Sequence, residues 1–342
     1  MKIHEKYMRR CLQIAQNGTA AALPNPAVGA VIVYDNRIIG EGFTSAYGGP
    51  HAEVNAINSV KDKSLLAKST IYVSLEPCSH FGKTPPCCDL ILKHNIPIIV
   101  IGCQDPNVLV AGKSIQKLNA TGKEVVVGVL EKECQDSNRR FFTFHTKKRP
   151  YIILKWAESK DGFIAPTSLS RKSDNQLSRK PFWISNSYSR QLTHKWRSEE
   201  QAILVGTQTA IDDNPRLNVR DWSGKSPVKI VLDQNNRIPK ENYIFDNRSN
   251  TIVLSAVDLD FTNKIAAQIA HIIYERNIAS VIIEGGRQML QTFIDENLWD
   301  EARVFRGSMI LNEGITAPEF SAKLTATKAI IDDELLIFTN HD

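Results

Sequence analysis

The chain has no stretch of about 18 or more uninterrupted apolar residues, so no membrane-spanning helix is expected. Its first residues, MKIHEKYMRRCLQIAQNG, lack the apolar core of a signal peptide, and a cytoplasmic location is the expectation. Six cysteines in 342 residues are too few for a disulfide scaffold. In a reducing compartment they serve as thiols or metal ligands. No G-x-G-x-x-G fingerprint occurs, which removes a Rossmann argument for nucleotide binding. Ala111-Gly112-Lys113-Ser114 has the end of a phosphate-binding loop without its start, because Asn107 stands where the first glycine belongs. Internal repeats and low-complexity segments are missing too, apart from the polar stretch Thr167–Lys180, which reads as a mobile loop.

What is present suits a soluble two-domain protein. At roughly 100–200 residues per domain, the length accommodates two hydrophobic cores. The charge is uneven: residues 1–149 carry 19 Lys and Arg against 12 Asp and Glu, whereas the remainder carries 23 against 25. A positive first half suits a phosphorylated substrate or nucleic acid. The cluster Arg139, Arg140, Lys147, Lys148 and Arg149 reads as a solvated linker at a domain junction.

Periodicity predicts an α/β organisation in both halves. A helix is expected over residues 4–18, ending at Gly18, then a hairpin of Val28–Val33 and Arg37–Gly42 around Tyr34-Asp35-Asn36. A helix from Pro50 to Lys61 follows, then strands at Thr70–Leu75, Ile96–Cys103 and Glu124–Val129, with a helix from about Thr84 to His94. This alternation points to a three-layer domain with a mostly parallel sheet. After residue 150, strands are expected at Tyr151–Lys155, Ala202–Val205, Val228–Leu232, Thr251–Leu254 and Ser280–Glu284. Helices are expected near 187–198, 262–276 and 286–296.

Three short segments carry chemistry together: His51-Ala52-Glu53 at a helix start, Pro77-Cys78 after a strand, and Cys87 nine positions later. One imidazole and two thiolates suit zinc, and a three-ligand set leaves a fourth position for water, as in catalytic sites. Zinc brings the pKa of such a water towards neutrality. Glu53, not needed as a ligand, is placed to shuttle protons between that water and a leaving amine. Cys88 and His80 compete as ligands; Cys88 would face elsewhere on a helix, and His80 is free to meet substrate. Cys11, Cys103 and Cys134 fall in apolar or linker contexts and read as structural thiols. In the second half, Gly206-Thr-Gln-Thr209 and Glu284-Gly285-Gly286 follow strands, where glycines let backbone N–H groups approach a phosphate.

Asn25-Pro-Ala-Val-Gly-Ala-Val31, His51-Ala-Glu53 and Pro77-Cys-Ser-His-Phe-Gly-Lys-Thr-Pro-Pro-Cys87 resemble the deaminase domain of bifunctional riboflavin biosynthesis deaminase–reductases. The resemblance implies a cytidine-deaminase-like fold for residues 1–147. It also implies zinc on His51, Cys78 and Cys87, Glu53 as general acid/base, and Asn25, His80 and Lys83 at the substrate. Asn25 can pair with a pyrimidine edge and Lys83 can neutralise a phosphate. Lys155-Trp-Ala-Glu-Ser-Lys-Asp-Gly162, Trp183-Ile-Ser185, Gly206 to Arg220 and Glu284-Gly-Gly286 resemble the reductase domain of the same family. That implies a dihydrofolate-reductase-like fold for residues 148–342 and NADPH as cofactor. By motif, Glu158, Trp183, Thr209, Asp213, Gly285 and Gly286 match cofactor positions; Arg197, Leu217, Arg220 and Glu284 match substrate positions. Two arginines can clamp a ribose phosphate with bidentate geometry.

The family activity so implied is deamination of a phosphoribosylamino diaminopyrimidine, then reduction of the ribosyl group to a ribityl chain. A phosphorylated pyrimidine is the expected small-molecule partner, with a homo-oligomer implied and neither nucleic acid nor membrane expected. Three departures stand against the reductase pattern: the charges of Glu158 and Lys160 where small apolar residues are usual, the length of Thr167–Lys180, and Arg306-Gly-Ser-Met309 in a normally apolar strand. They leave open a non-catalytic substrate-binding module in the second half. A structural-zinc nucleic-acid-binding protein is the other rival, disfavoured because structural sites close all four metal positions.

Overall fold

Apolar strands flanked by amphipathic helices assemble two units, Met1–Lys148 and Arg149–Asp342. The computed structural model describes residues 2–79, 81, 85–108, 110–167, 182–246 and 250–340. His80, Lys83 and most of the polar stretch Thr167–Lys180 lie outside the described residues.

The first unit has helices α1 (Lys2–Ala15), α2 (Thr19–Ala22), α3 (Ala52–Ser59), α4 (Cys87–Lys93), α5 (Lys113–Ala120), α6 (Glu131–Ser137) and α7 (Arg139–Lys147). Its strands are β1 (Gly29–Tyr34), β2 (Arg37–Phe43), β3 (Thr70–Leu75), β4 (Ile98–Cys103) and β5 (Glu124–Val127), in the order β2-β1-β3-β4-β5. β3, β4 and β5 pair in parallel, and β1 pairs antiparallel with both β2 and β3, so β1 alone runs against the other four strands of the sheet. The cause is local. Asp35 and Asn36 both take positive φ, the geometry of a two-residue hairpin turn, and so reverse the chain at once.

Two glycines show why three layers form. A Cβ on Gly29 would lie 2.0 Å from the Cys11 carbonyl oxygen of α1, and one on Gly42 would lie 2.2 Å from the Ala56 nitrogen of α3. Gly42 pairs with Ala30, the neighbour of Gly29, so the two helices press on opposite faces of the hairpin. The basic run is not a solvated linker: Arg139–Lys147 is helical with Thr143 buried. Arg149 is buried too, because its guanidinium forms a bidentate pair with Asp300 at 2.6 and 2.8 Å.

The second unit has helices α8 (Ser187–Glu199), α9 (Thr207–Asp213), α10 (Ile265–Glu275) and α11 (Arg287–Asp295). Its main sheet comprises β6 (Tyr151–Glu158), β8 (Ala202–Gly206), β9 (Val228–Leu232), β10 (Thr251–Leu254), β11 (Ser280–Gly285), β12 (Glu301–Arg306), β14 (Lys323–Ile330) and β15 (Asp333–Thr339). The order is β10-β9-β8-β11-β6-β12-β15-β14, parallel as far as β12 and antiparallel beyond it. A separate ribbon pairs β7 (Phe163–Ala165) with β13 (Ile315–Thr316).

Alternation along β6 divides the core. Ile152, Leu154 and Trp156 pack with residues of α10 and α11, whereas Tyr151 and Ile153 pack with Trp196 of α8 and Ala210 of α9. The C-terminal ends of six parallel strands thus gather at one edge of the sheet, where ligands bind in open α/β folds.

Candidate active sites

In the first unit, the start of α3, the segment after β3 and the start of α4 bring His51, Cys78 and Cys87 together. His51 is the N-cap residue of α3, yet its ring makes no capping bond. Instead, Nδ1 lies 3.5 Å from Cys78 Sγ and 3.4 Å from Cys87 Sγ. Tetrahedral zinc, with bonds of about 2.3 Å to sulfur and about 2.05 Å to nitrogen, separates such donors by about 3.6 Å. The donor set fits the metal. Among the described residues, these three are the group able to hold a metal ion. Cys88 turns away to Asp89.

The electrostatics follow from crowding. Hydrogen bonding from the Cys87 thiol, against burial and with help from His51 and the Cys87 N–H at 3.2 Å, holds the Cys78 thiol at about 4. The same interaction pushes Cys87 up, and the bond to Cys78 raises His51. Glu53, in the first turn of α3 and 4% exposed, is pushed up to about 7 by burial and then by the charge on Cys78.

Two supports of this site were not foreseen. Glu76, one residue before Pro77, accepts hydrogen bonds from the N–H groups of Asp105, Gly112 and Ser114 and from the Ser114 hydroxyl at 2.7 Å. The glycine turn that resembled a phosphate loop therefore holds a carboxylate of its own chain, and anchors the strand end that carries Cys78. Asn138, between α6 and α7, exchanges two hydrogen bonds with the Ala27 backbone at 2.9 and 3.1 Å. It fixes the segment containing Asn25, whose backbone N–H bonds Ala22.

In the second unit, Arg197 of α8 and Glu284 of β11 form a bidentate pair at 3.1 and 2.6 Å, both about nine-tenths buried. Burial alone would raise Glu284, but the charges of Arg197 and Lys155 outweigh it and hold the carboxyl at about 2. Lys155 points to the same sheet face as Tyr151 and Ile153, and burial lowers its ammonium. The motif reading quoted Lys155 without giving it a role. A lysine in the middle of an otherwise apolar strand was the signal.

Leu217 is buried with φ +53, and Arg220 is exposed at the end of the following turn. Arg220 is lowered by burial of its stem and then by repulsion from Arg197, with Arg216 and Arg190 adding to it. Crowded guanidinium groups of this kind favour an anionic ligand. Thr209 packs against the glycine pair: a Cβ on Gly285 or Gly286 would lie 3.3 or 3.2 Å from its side chain. Asp213 ends α9, and Trp183, half exposed, carries Arg190 over its ring at 5.1 Å. Glu158 is placed differently: one oxygen accepts the Trp156 indole N–H at 3.0 Å and the other pairs with Arg306 at 3.1 Å.

Comparison with known proteins decides the family. Residues 1–103 match the cytidine and deoxycytidylate deaminase zinc-binding region, and residues 150–329 match the RibD C-terminal domain. Riboflavin biosynthesis protein RibD of Aquifex aeolicus is 36% identical over 331 residues, covering 92% of this chain and 90% of that one. The chain belongs to the RibD family. RibD of Bacillus amyloliquefaciens is 34% identical over 336 residues, covering 92% of this chain and 87% of that one. A Thermotoga maritima crystal structure, described as a diaminohydroxyphosphoribosylaminopyrimidine deaminase/5-amino-6-(5-phosphoribosylamino)uracil reductase, superposes with TM-score 0.87, 34% identity and 99% of each chain covered. Acinetobacter baumannii RibD gives TM-score 0.87 at 30% identity, covering 100% of this chain and 99% of that one.

RibD membership explains why two unlike sites share one polypeptide. The first unit has the cytidine-deaminase-like fold and the second the reductase fold of the family, and the chain is a bifunctional enzyme of riboflavin biosynthesis with both domains present. No helix of the described residues is long and apolar enough to cross a membrane.

Proposed function

We propose that residues 1–147 deaminate 2,5-diamino-6-(5-phosphoribosylamino)pyrimidin-4-one and that residues 148–342 reduce the uracil product to its ribityl form with NADPH. The observation carrying this reading is the pairing of a three-donor cluster beside buried Glu53 in one unit with the Arg197–Glu284–Lys155 cluster in the other.

His51 Nδ1 and the two thiolates would hold zinc, which supplies the Lewis acidity that ionises water near neutral pH. Glu53 does the proton work. Its carboxylate takes one proton from the attacking water and gives it to the ring nitrogen, then takes the second from the hydroxyl of the adduct and gives it to the amine, so that the C–N bond breaks, the carbonyl forms and ammonia leaves. A carboxyl poised at about 7 holds and releases protons equally well near neutrality. Asn25 faces the pyrimidine edge, with His80 and Lys83 proposed at the phosphoribosyl end.

In the reductase, NADPH supplies a hydride for the anomeric carbon. Thr209 and the two glycines leave backbone room for the cofactor, and Trp183 and Asp213 flank it. Opening the ribose requires a proton at the ring oxygen. Arg197 is permanently charged and Glu284 is ionised, which leaves Lys155, its ammonium lowered by burial, as the proton donor of the cluster. Arg197 and Arg220 bind the phosphate end. Glu158, engaged with Trp156 and Arg306, shapes the strand end beside the cofactor.

The test is one cuvette holding zinc-loaded protein, the diaminopyrimidine substrate and NADPH, with ammonia and absorbance followed together. Ammonia release followed by NADPH oxidation is expected. Ammonia without NADPH oxidation would reduce the second unit to a substrate-binding module.

A further inference from the structure

We infer that His194 is a positioning residue of the reductase, holding the Asn218–Asp221 turn so that Arg220 meets the substrate phosphate. The inference rests on the reading of Arg220 as a phosphate contact.

The argument begins with helix α8. Arg190, His194, Arg197 and Ser198 are spaced by four, three and one, and so line one face of it. All four meet the segment from 218 to 224. Arg190 Nε donates to Asp221 Oδ2 at 3.2 Å, and Arg197 Nη1 donates to the Asn218 carbonyl at 3.3 Å. Gly224, with φ +147, passes so close that a Cβ would stand 2.6 Å from Ser198 Cβ. His194 makes the remaining contact: its Nδ1 accepts the Arg220 backbone N–H at 3.2 Å.

A backbone amide can only donate, so Nδ1 carries no proton and the ring hydrogen sits on Nε2. Nε2 faces Asp221 Oδ2 at 3.5 Å, which selects that tautomer. The imidazole is 1% exposed, and the charged groups around it are Arg197, Arg220, Asp221 and Glu284. Burial and the two arginines press its pKa down to about 4, which keeps Nδ1 free to accept at neutral pH.

The turn needs such a grip. Leu217 and Asn214 both hold positive φ, a conformation that costs non-glycine residues and persists only where surroundings impose it. Its polar backbone is occupied group by group: Asn218 O by Arg197, Val219 N–H by Ser226 Oγ at 3.1 Å, and Arg220 N–H by His194. Arg220 Nη1 also bonds Asn218 Oδ1 at 2.8 Å, so the guanidinium direction depends on the same turn. Loss of the imidazole acceptor releases the Arg220 backbone N–H, and with it the point from which the guanidinium is aimed.

The experiment uses the full-length protein with His194→Ala, His194→Asn, His194→Gln and Arg220→Ala. Each variant reduces the phosphorylated uracil intermediate and the same compound with its phosphate removed. Asn presents an acceptor near the Nδ1 position, whereas Gln presents one near Nε2. Arg220→Ala, His194→Ala and His194→Gln should raise KM for the phosphorylated compound about tenfold, with kcat changed less than about twofold and the dephosphorylated compound unaffected. His194→Asn should restore KM. If His194→Ala is insoluble, the contrast between Asn and Gln decides in the same way. Unchanged KM in Arg220→Ala would overturn the phosphate reading and the inference with it. A raised KM in Arg220→Ala beside unchanged values in the Ala and Gln variants would overturn the inference alone. Equal losses with both compounds, unrescued by Asn, would make His194 a structural residue and also overturn it.

Discussion

Glu158 and Arg306 stand opposite one another at the ends of neighbouring parallel strands and share an ion pair of 3.1 Å. Each looks aberrant alone in the sequence, and together they neutralise each other. Arg306→Met strands a carboxylate that is about nine-tenths buried, with the Trp156 indole as its remaining partner. Thermal unfolding should show the single variants Arg306→Met and Glu158→Ala to be less stable than expected from the double variant, with a coupling of about 1 kcal/mol. Additive losses would mean that the pair contributes nothing.

Glu53→Gln should retain one zinc per chain and lose at least about a hundredfold in deamination, because the amide cannot move protons. Reduction of the uracil intermediate by the same protein should be unchanged. Measuring both activities on one sample separates lost chemistry from lost folding.

The thiols should divide by position. Cys78→Ser and Cys87→Ser should lose tightly bound zinc and deamination together, whereas Cys88→Ser should keep both, since Cys88 faces Asp89. Metal content by atomic emission, before and after chelation, checks this. Chelation should leave reduction intact.

Glu284 sets an acid limit. Its folded pKa of about 2 lies below the ordinary carboxyl value of 4.5, so the stability it contributes is complete above about 4.5 and is lost as pH falls towards 2. The second unit should therefore weaken across that interval, and Glu284→Gln should flatten the dependence. Arg197→Met removes the larger opposing charge, and burial should then raise Glu284. An acid limb should appear in kcat/KM for reduction at weakly acidic pH. A profile identical to the wild type would refute this account of the carboxyl.

The grouping of His51, Cys78 and Cys87 was legible because each sits in a short stretch whose spacing suits a shared ligand. Strands such as Thr70–Leu75, Val228–Leu232 and Thr251–Leu254 were legible to the residue, being apolar runs bounded by turns. The cluster of the second unit was harder. Arg197 and Glu284 carried a role by motif likeness, but Lys155 and His194 carried none, and only sheet order and helix face bring the four together. The hairpin of β1 and β2 was legible from its turn, but the place of the reversed β1 between β2 and β3 was not, because periodicity reports which face a residue takes and not which way its neighbour runs. Helix α7 was missed for a related reason: a basic run resembles a linker until Thr143 is seen to be buried.

The bond between Asn138 and Ala27 dictates how the two activities can be taken apart. The deaminase likeness ends at residue 103, yet the residue that pins the loop of Asn25 comes 35 positions later. A fragment cut near 103 would keep His51, Cys78 and Cys87 and discard the residue that clasps the Asn25 loop. Severing the chain after Lys148, where the first compact unit ends, leaves that clasp in place, so the unit that holds its own loop is nearly half as long again as the recognisable motif.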